Sequence, residues 1–169
     1  MKILATFDGT PFAEAILPQL IWMAGLPDST FTFLTIAHEP EGSLRRSNRR
    51  RPVVTADAFG RALPLTLAVQ EPDLAEDKTQ AIERRLAETE DYLSTVASRM
   101  PAGADVHIET HVADRIADVI IDRAREEGAD LIVMTTHSAR GLSRALFGST
   151  TDEVVRSGVA PVLIVHPRA

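Results

Sequence analysis

The chain alternates short apolar runs with helical periodicity. Residues 2–7, KILATF, form an apolar run that stops at Asp8-Gly9-Thr10, which predicts a buried strand and a turn. Thr10 is placed to cap the next helix, with Pro11 at its first position. That helix carries Ile16, Leu17, Leu20, Ile21 and Met23. Pro18 inside it predicts a kink or a second start, and Gly25, Pro27 and Asp28 end it. FTFLTIA at 31–37 is rich in β-branched and aromatic types and reads as a second strand. From 77 to 99 the period is helical, with Ile82, Leu86, Leu93 and Val96 on one face, and Pro101-Ala102-Gly103 stops it. A third strand follows at 104–112, with Val106, Ile108, Thr110 and Val112 to one side. Asp114 is a candidate cap for a helix carrying Ile116, Val119, Ile120 and Ala124 and ending near Gly128. DLIVMT at 130–135 is the fourth strand. A helix spans about 149 to Gly158, and PVLIVH at 161–166 is the fifth strand.

LIVM and VLIV show no alternation, as a parallel sheet buried on both faces requires. The expected fold class is therefore α/β, an open parallel sheet with helices on both faces. In such sheets ligands bind beyond the carboxyl ends of the strands, where strand order reverses. Those ends carry Asp8, Ile36-Ala37, and Thr135 onward. Residues 38–76 break the pattern. They contain Pro, Gly and Ser and hold Arg45, Arg46, Arg49, Arg50 and Arg51, so the expectation is a long mobile connection with a short turn of structure near 56–63. There is no internal repeat, and 1–169 is expected to be one domain.

Composition narrows the function classes. A net charge of −6 disfavours nonspecific binding to nucleic acid or membrane. With no cysteine, disulfides, thiolate metal sites and a cysteine nucleophile are excluded. MKILATFDGT lacks a signal-peptide pattern and no apolar run approaches membrane-spanning length, so a cytoplasmic protein is expected. The motifs GxxxxGK[ST], GxGxxG and HExxH are absent.

Several stretches carry candidate chemistry. TTHSARGLSRALFGST, 135–150, joins the fourth strand to the next helix, and Gly148-Ser149 at the helix start can present backbone N–H groups and hydroxyls to an anion. The same pair would serve equally as a plain turn and cap. Gly141-Leu142-Ser143-Arg144-Ala145 fails as a nucleophile elbow, because Ala145 closes it and no strand leads into it. His107, Glu109 and His111 alternate on one strand and so face one side, as zinc ligands would, although a polar outer face on an edge strand is the commoner outcome. The arginines at 45–51 have no interleaved aromatics, which argues against a single-strand nucleic-acid platform.

VMTTHSARGLSRALFGSTTDEVVRSGVAPVLIV resembles the C-terminal signature of the universal stress protein family. KILATFDGT resembles that family's opening strand and turn, and EEGADLIVM its passage into the fourth strand. The resemblance covers nearly the whole chain outside 38–76. It implies a five-stranded parallel sheet of order 3-2-1-4-5, adenine nucleotide alpha hydrolase-like, and a homodimer through the last strand, here Val162, Leu163, Ile164 and Val165. It also implies an adenine nucleotide ligand, ATP or AMP, with Mg as an accompanying ion. ATP-binding members carry a glycine, two residues, a second glycine, nine residues, then glycine and Ser/Thr. Here the first glycine falls on Thr135, the second on Ser138 and the third on Gly148, followed by Ser149. Thr6, Asp8 and Ile36 match positions beside adenine. Thr135, His137, Ser138, Gly148, Ser149 and Thr150 match the ribose and phosphate path, with His137 a positioning residue rather than a catalyst. If the family glycines serve left-handed dihedrals, a β-branched Thr135 costs on the order of a kcal/mol; if they only make room, the path narrows without closing.

The implied function is a dimeric stress-response or signalling module with an unidentified protein partner. It has no catalytic residues and at most slow, incidental ATP hydrolysis. Two alternatives stand beside it: the same fold without nucleotide, acting as a protein interaction module, and an adenylate-transfer or ATP-hydrolysing enzyme, for which no signature is present.

Overall fold

The computed structural model describes residues 1–38, 53–56, 62–65, 78–136 and 148–167. β1 (Lys2–Phe7) leads through a 3-10 turn (Ala13–Ile16) into α1 (Leu17–Met23) and β2 (Thr30–Ala37). Two short strands, β3 (Val53–Ala56) and β4 (Ala62–Leu65), come next. Then follow α2 (Lys78–Ala97), β5 (Asp105–Val112), α3 (Ile116–Glu127), β6 (Leu131–Thr135), α4 (Ser149–Ser157) and β7 (Val162–Val165).

Five strands form one parallel sheet in the order β5-β2-β1-β6-β7, which is 3-2-1-4-5 when those strands alone are counted. β1 is central because its residues are apolar on both faces. Ile3, Ala5 and Phe7 join Phe31, Phe33, Leu93 and Val96 in a core under α1 and α2. Leu4 joins Leu34, Ile36, Ile120, Ile132, Met134 and Val154 under α3 and α4. Phe7 and Phe33 meet with ring centroids 4.9 Å apart in a tilted pair. Strand order reverses between β1 and β6, because the chain winds outward through β2 and β5 before returning to β6.

Three local expectations are corrected. The Thr10 cap does not form: its hydroxyl turns back to Asp8, and a 3-10 turn entered at Phe12 precedes α1. α1 instead takes the second start offered by Pro18, which lies in its first turn, where the missing N–H costs nothing. Asp114 does not cap α3, whose N-cap is Arg115 without a side-chain cap. Within the stretch read as a connection, β3 and β4 pair antiparallel and form a separate two-stranded sheet, with Val54 opposite Pro64. Pro64 is accommodated because in a two-stranded ribbon both strands are edges and tolerate proline. Gly128 and Gly158 close α3 and α4 at φ 63°, the left-handed cap that glycine supplies without strain.

Candidate functional site

The alternation of β1 builds the site. Leu4 packs under α3 and α4, so the period of two carries Thr6 and Asp8 to the same face at the carboxyl end of the strand. Ile36 is the penultimate residue of β2 and Met134 that of β6, both on this face. Above them stand Ile116 and Ile120, one turn apart on α3. Together with Phe7, Thr135 and residues 148–151 they enclose an open cavity of about 290 Å³, near the lower end of the ~300–1,000 Å³ usual for small-molecule sites. Ile36, Ile116, Ile120 and Met134 make an apolar floor, and Thr6, Asp8, Ser149 and Thr150 supply polar groups.

The Asp8 carboxylate is oriented locally. Its Oδ1 accepts the Thr10 backbone N–H at 2.9 Å and the Thr10 hydroxyl at 2.6 Å. Gly9 between them has φ 78°, a left-handed turn position at which a side chain would be strained. At the opposite end, α4 begins at Gly148 in extended conformation, with no side-chain cap. The first intrahelical bond there is Asp152 N–H to the Gly148 carbonyl, 3.0 Å. The N–H groups of the first turn thus point out of the helix at its positive end. A Cβ on Gly148 would meet no atom within 4 Å, so this glycine borders open space.

Thr135 stands in regular β6 structure opposite Val165. Val133 packs under α1 and α2 and Met134 under α3 and α4, so alternation turns the Thr135 Cβ away from the cavity face. Among the described residues only Asp28 has positive φ without being glycine. Threonine here therefore carries no left-handed strain.

The fold brings Thr6, Asp8, Ile36, Thr135, Gly148, Ser149 and Thr150 around one cavity. His137 and Ser138 lie outside the described residues, as do Arg140, Arg144, the elbow-like 141–145 stretch and the arginines at 45–51. Sequence reasoning missed Phe7, Met134, Thr151, Ile116 and Ile120 as lining residues. The last two had a signal: an i, i+4 apolar pair at the start of a helix following a strand. His107, Glu109 and His111 do not converge on a metal: no group of three or more ligating side chains forms among the described residues. Glu109 instead pairs with Arg123, which also reaches Glu126 and Glu127 at 2.7 Å. Among the described residues no helix is long and apolar enough to cross a membrane.

Comparison with known proteins agrees with this architecture. The chain is 33% identical over 92 residues to universal stress protein MJ0531 of Methanocaldococcus jannaschii, covering 54% of each chain. It is 31% identical over 141 residues to the Na(+)/H(+) antiporter NhaS5 of Synechocystis sp., covering 82% of this chain and 20% of that protein. The chain thus spans about a fifth and about half the length of these two relatives. In fold it resembles protein MJ0577 of M. jannaschii, with TM-score 0.68, 20% identity and coverage of 99% and 96% of the two chains. It also resembles a universal stress protein in complex with cAMP, with TM-score 0.56, 17% identity and coverage of 99% and 98%. The model of the universal stress protein family matches residues 1–166. With that match spanning both strands that flank the switch point and the helix that closes it, the chain belongs to the universal stress protein family.

Proposed function

We propose that this chain is a stress-response or signalling module that binds an adenine nucleotide, ATP or AMP, in the cavity at the ends of β1 and β6. The observation that carries this reading is a single cavity that joins an apolar floor to an uncapped helix start. Ile36, Ile116, Ile120 and Met134 offer a slot of the polarity a purine needs. Asp8 and Thr6 lie at the end suited to the base, where a carboxylate accepts from an exocyclic amine. Asp8 repels phosphate, so the phosphates lie toward Gly148, Ser149 and Thr150, where backbone N–H groups and hydroxyls favour an anion. Thr135 passes beneath the ribose, and His137 and Ser138 belong to the same path by sequence. Mg²⁺ would accompany a triphosphate. The cAMP complex of a related fold supports an adenine ligand. The reading contains no catalytic residue, and ATP hydrolysis in it is slow and incidental. The module works as a homodimer through β7. Titration calorimetry with AMP and ATP tests the ligand, and no heat at millimolar nucleotide overturns it.

The match to an antiporter favours a second reading, in which the nucleotide state is passed to an ion transporter as the protein partner. Nucleotide-dependent co-purification with such a transporter tests it.

A further inference from the structure

Asp8 is an exposed aspartate at the end of a strand, and an exposed carboxylate ordinarily samples several rotamers. Here both donors of one residue hold it. The Thr10 N–H and the Thr10 hydroxyl converge on the same oxygen, Oδ1, at 2.9 and 2.6 Å. Thr10 itself is anchored from two directions. Its carbonyl accepts the Ala13 N–H at 3.0 Å and lies 3.5 Å from the Tyr92 hydroxyl, which donates to it from α2. The turn that carries Asp8 is therefore tied to the 3-10 turn on one side and to α2 on the other. Thr10 does not line the cavity; Asp8 does.

We infer that Thr10 is the positioning residue for base selection: it holds the Asp8 carboxylate in the orientation that discriminates an amino from a keto purine. This rests on the nucleotide reading above. A carboxylate has only acceptor sites. Facing the six-position of a purine it pairs with the amine of adenine and opposes the carbonyl oxygen of guanine, leaving two acceptors against each other. Such a mismatch discriminates strongly only while the acceptor cannot rotate away. Thr10 removes that freedom through a bond to a charged group, which is stronger and shorter than a neutral one. The backbone N–H donor survives substitution at 10 by any residue but proline, so the hydroxyl is the part that Val and Ser test.

The experiment is calorimetric titration of AMP and GMP into the full chain and its variants. The wild type is expected to prefer AMP. Thr10→Val keeps the side-chain shape and removes the hydroxyl, and is expected to lower the AMP-to-GMP preference about tenfold, mainly by admitting GMP. Thr10→Ser is expected to restore it. In an Asp8→Ala background the Thr10→Val change is expected to leave the ratio unaltered, because the residue then has nothing to orient. A Thr10→Val variant with the wild-type ratio overturns the inference while leaving nucleotide binding intact. A wild type that binds neither nucleotide overturns the underlying reading, and this inference with it. Thermal melting of each variant separates a loss of selectivity from a loss of fold; a ratio change that Thr10→Ser does not rescue also counts against the positioning role.

Discussion

Tyr92 offers a sharp test of the packing around this turn, because it is the only tyrosine in the chain. Its hydroxyl, which meets the Thr10 carbonyl, is pushed from 10.0 up to about 12, first by burial, then by the negative charges of Glu14 and Asp8. Arg99, paired with Glu14, opposes the shift. Ionisation would place a phenolate beside two carboxylates. Because the folded pKa lies above the unfolded one, the stabilisation is complete below pH 10, declines between pH 10 and about 12, and is gone above. Two pK units correspond to about 2.7 kcal/mol, and solvent screening at the partly exposed hydroxyl reduces this to about 1 kcal/mol. Near-ultraviolet absorbance of tyrosinate after a rapid pH jump reads the titration before alkaline unfolding intervenes. The native midpoint should lie near 12, and in urea it should return to about 10. Tyr92→Phe should cost about 0.5 kcal/mol at neutral pH, since the bond it loses is long. It should also flatten the fall in stability between pH 10 and 12. Asp8→Asn should lower the Tyr92 midpoint. A native midpoint at the ordinary tyrosine value would refute the account of how α2 meets the Asp8 turn.

Other substitutions probe the site and its edges. Gly148→Ala places a methyl where no protein atom lies within 4 Å. It should cost about 1 kcal/mol or less in thermal melting, as a poorer cap, yet weaken AMP binding about tenfold by calorimetry; equal affinity would move the phosphates elsewhere. Ile120→Ala removes a side chain only 1% exposed that also lines the cavity. It should cost about 2–4 kcal/mol in denaturant unfolding and reduce AMP affinity as well. On β7 the Pro161 and Val165 carbonyls accept from the β6 side, so alternation turns the Ile164 N–H to the open edge. Ile164→Pro should therefore leave the β6 ladder intact and convert a dimer to a monomer by sedimentation; a retained dimer would place its interface away from β7.

The sheet was legible because its inner strands are apolar without alternation and β5 alternates with a period of two. LIVM and VLIV have no polar face to show water, and the helices between them carry one apolar stripe each. The cavity was half legible. Asp8, Ile36 and Gly148 stand at strand ends or a helix start, where local pattern marks them. Ile116 and Ile120 look identical to core residues along the helix, since periodicity reports which face is apolar and not what covers it. Caps were read poorly for a related reason. Thr10 and Asp114 are competent caps by type, but a hydroxyl or carboxylate goes to whichever donor or acceptor the turn brings nearest.

Local sequence therefore determines the element order, the parallel class and the residues that end each strand, because burial on two faces and turn chemistry act over a few neighbours. Tertiary structure decides which strand ends meet. The chain returns to β6 beside β1, and only that crossing sets Asp8 opposite Gly148. It also settles the direction of Thr135. A threonine in place of a glycine reads as an obstruction along the chain. In the sheet the strand's period of two directs its side chain to the α1 and α2 face, while the residue still borders the cavity at the end of β6.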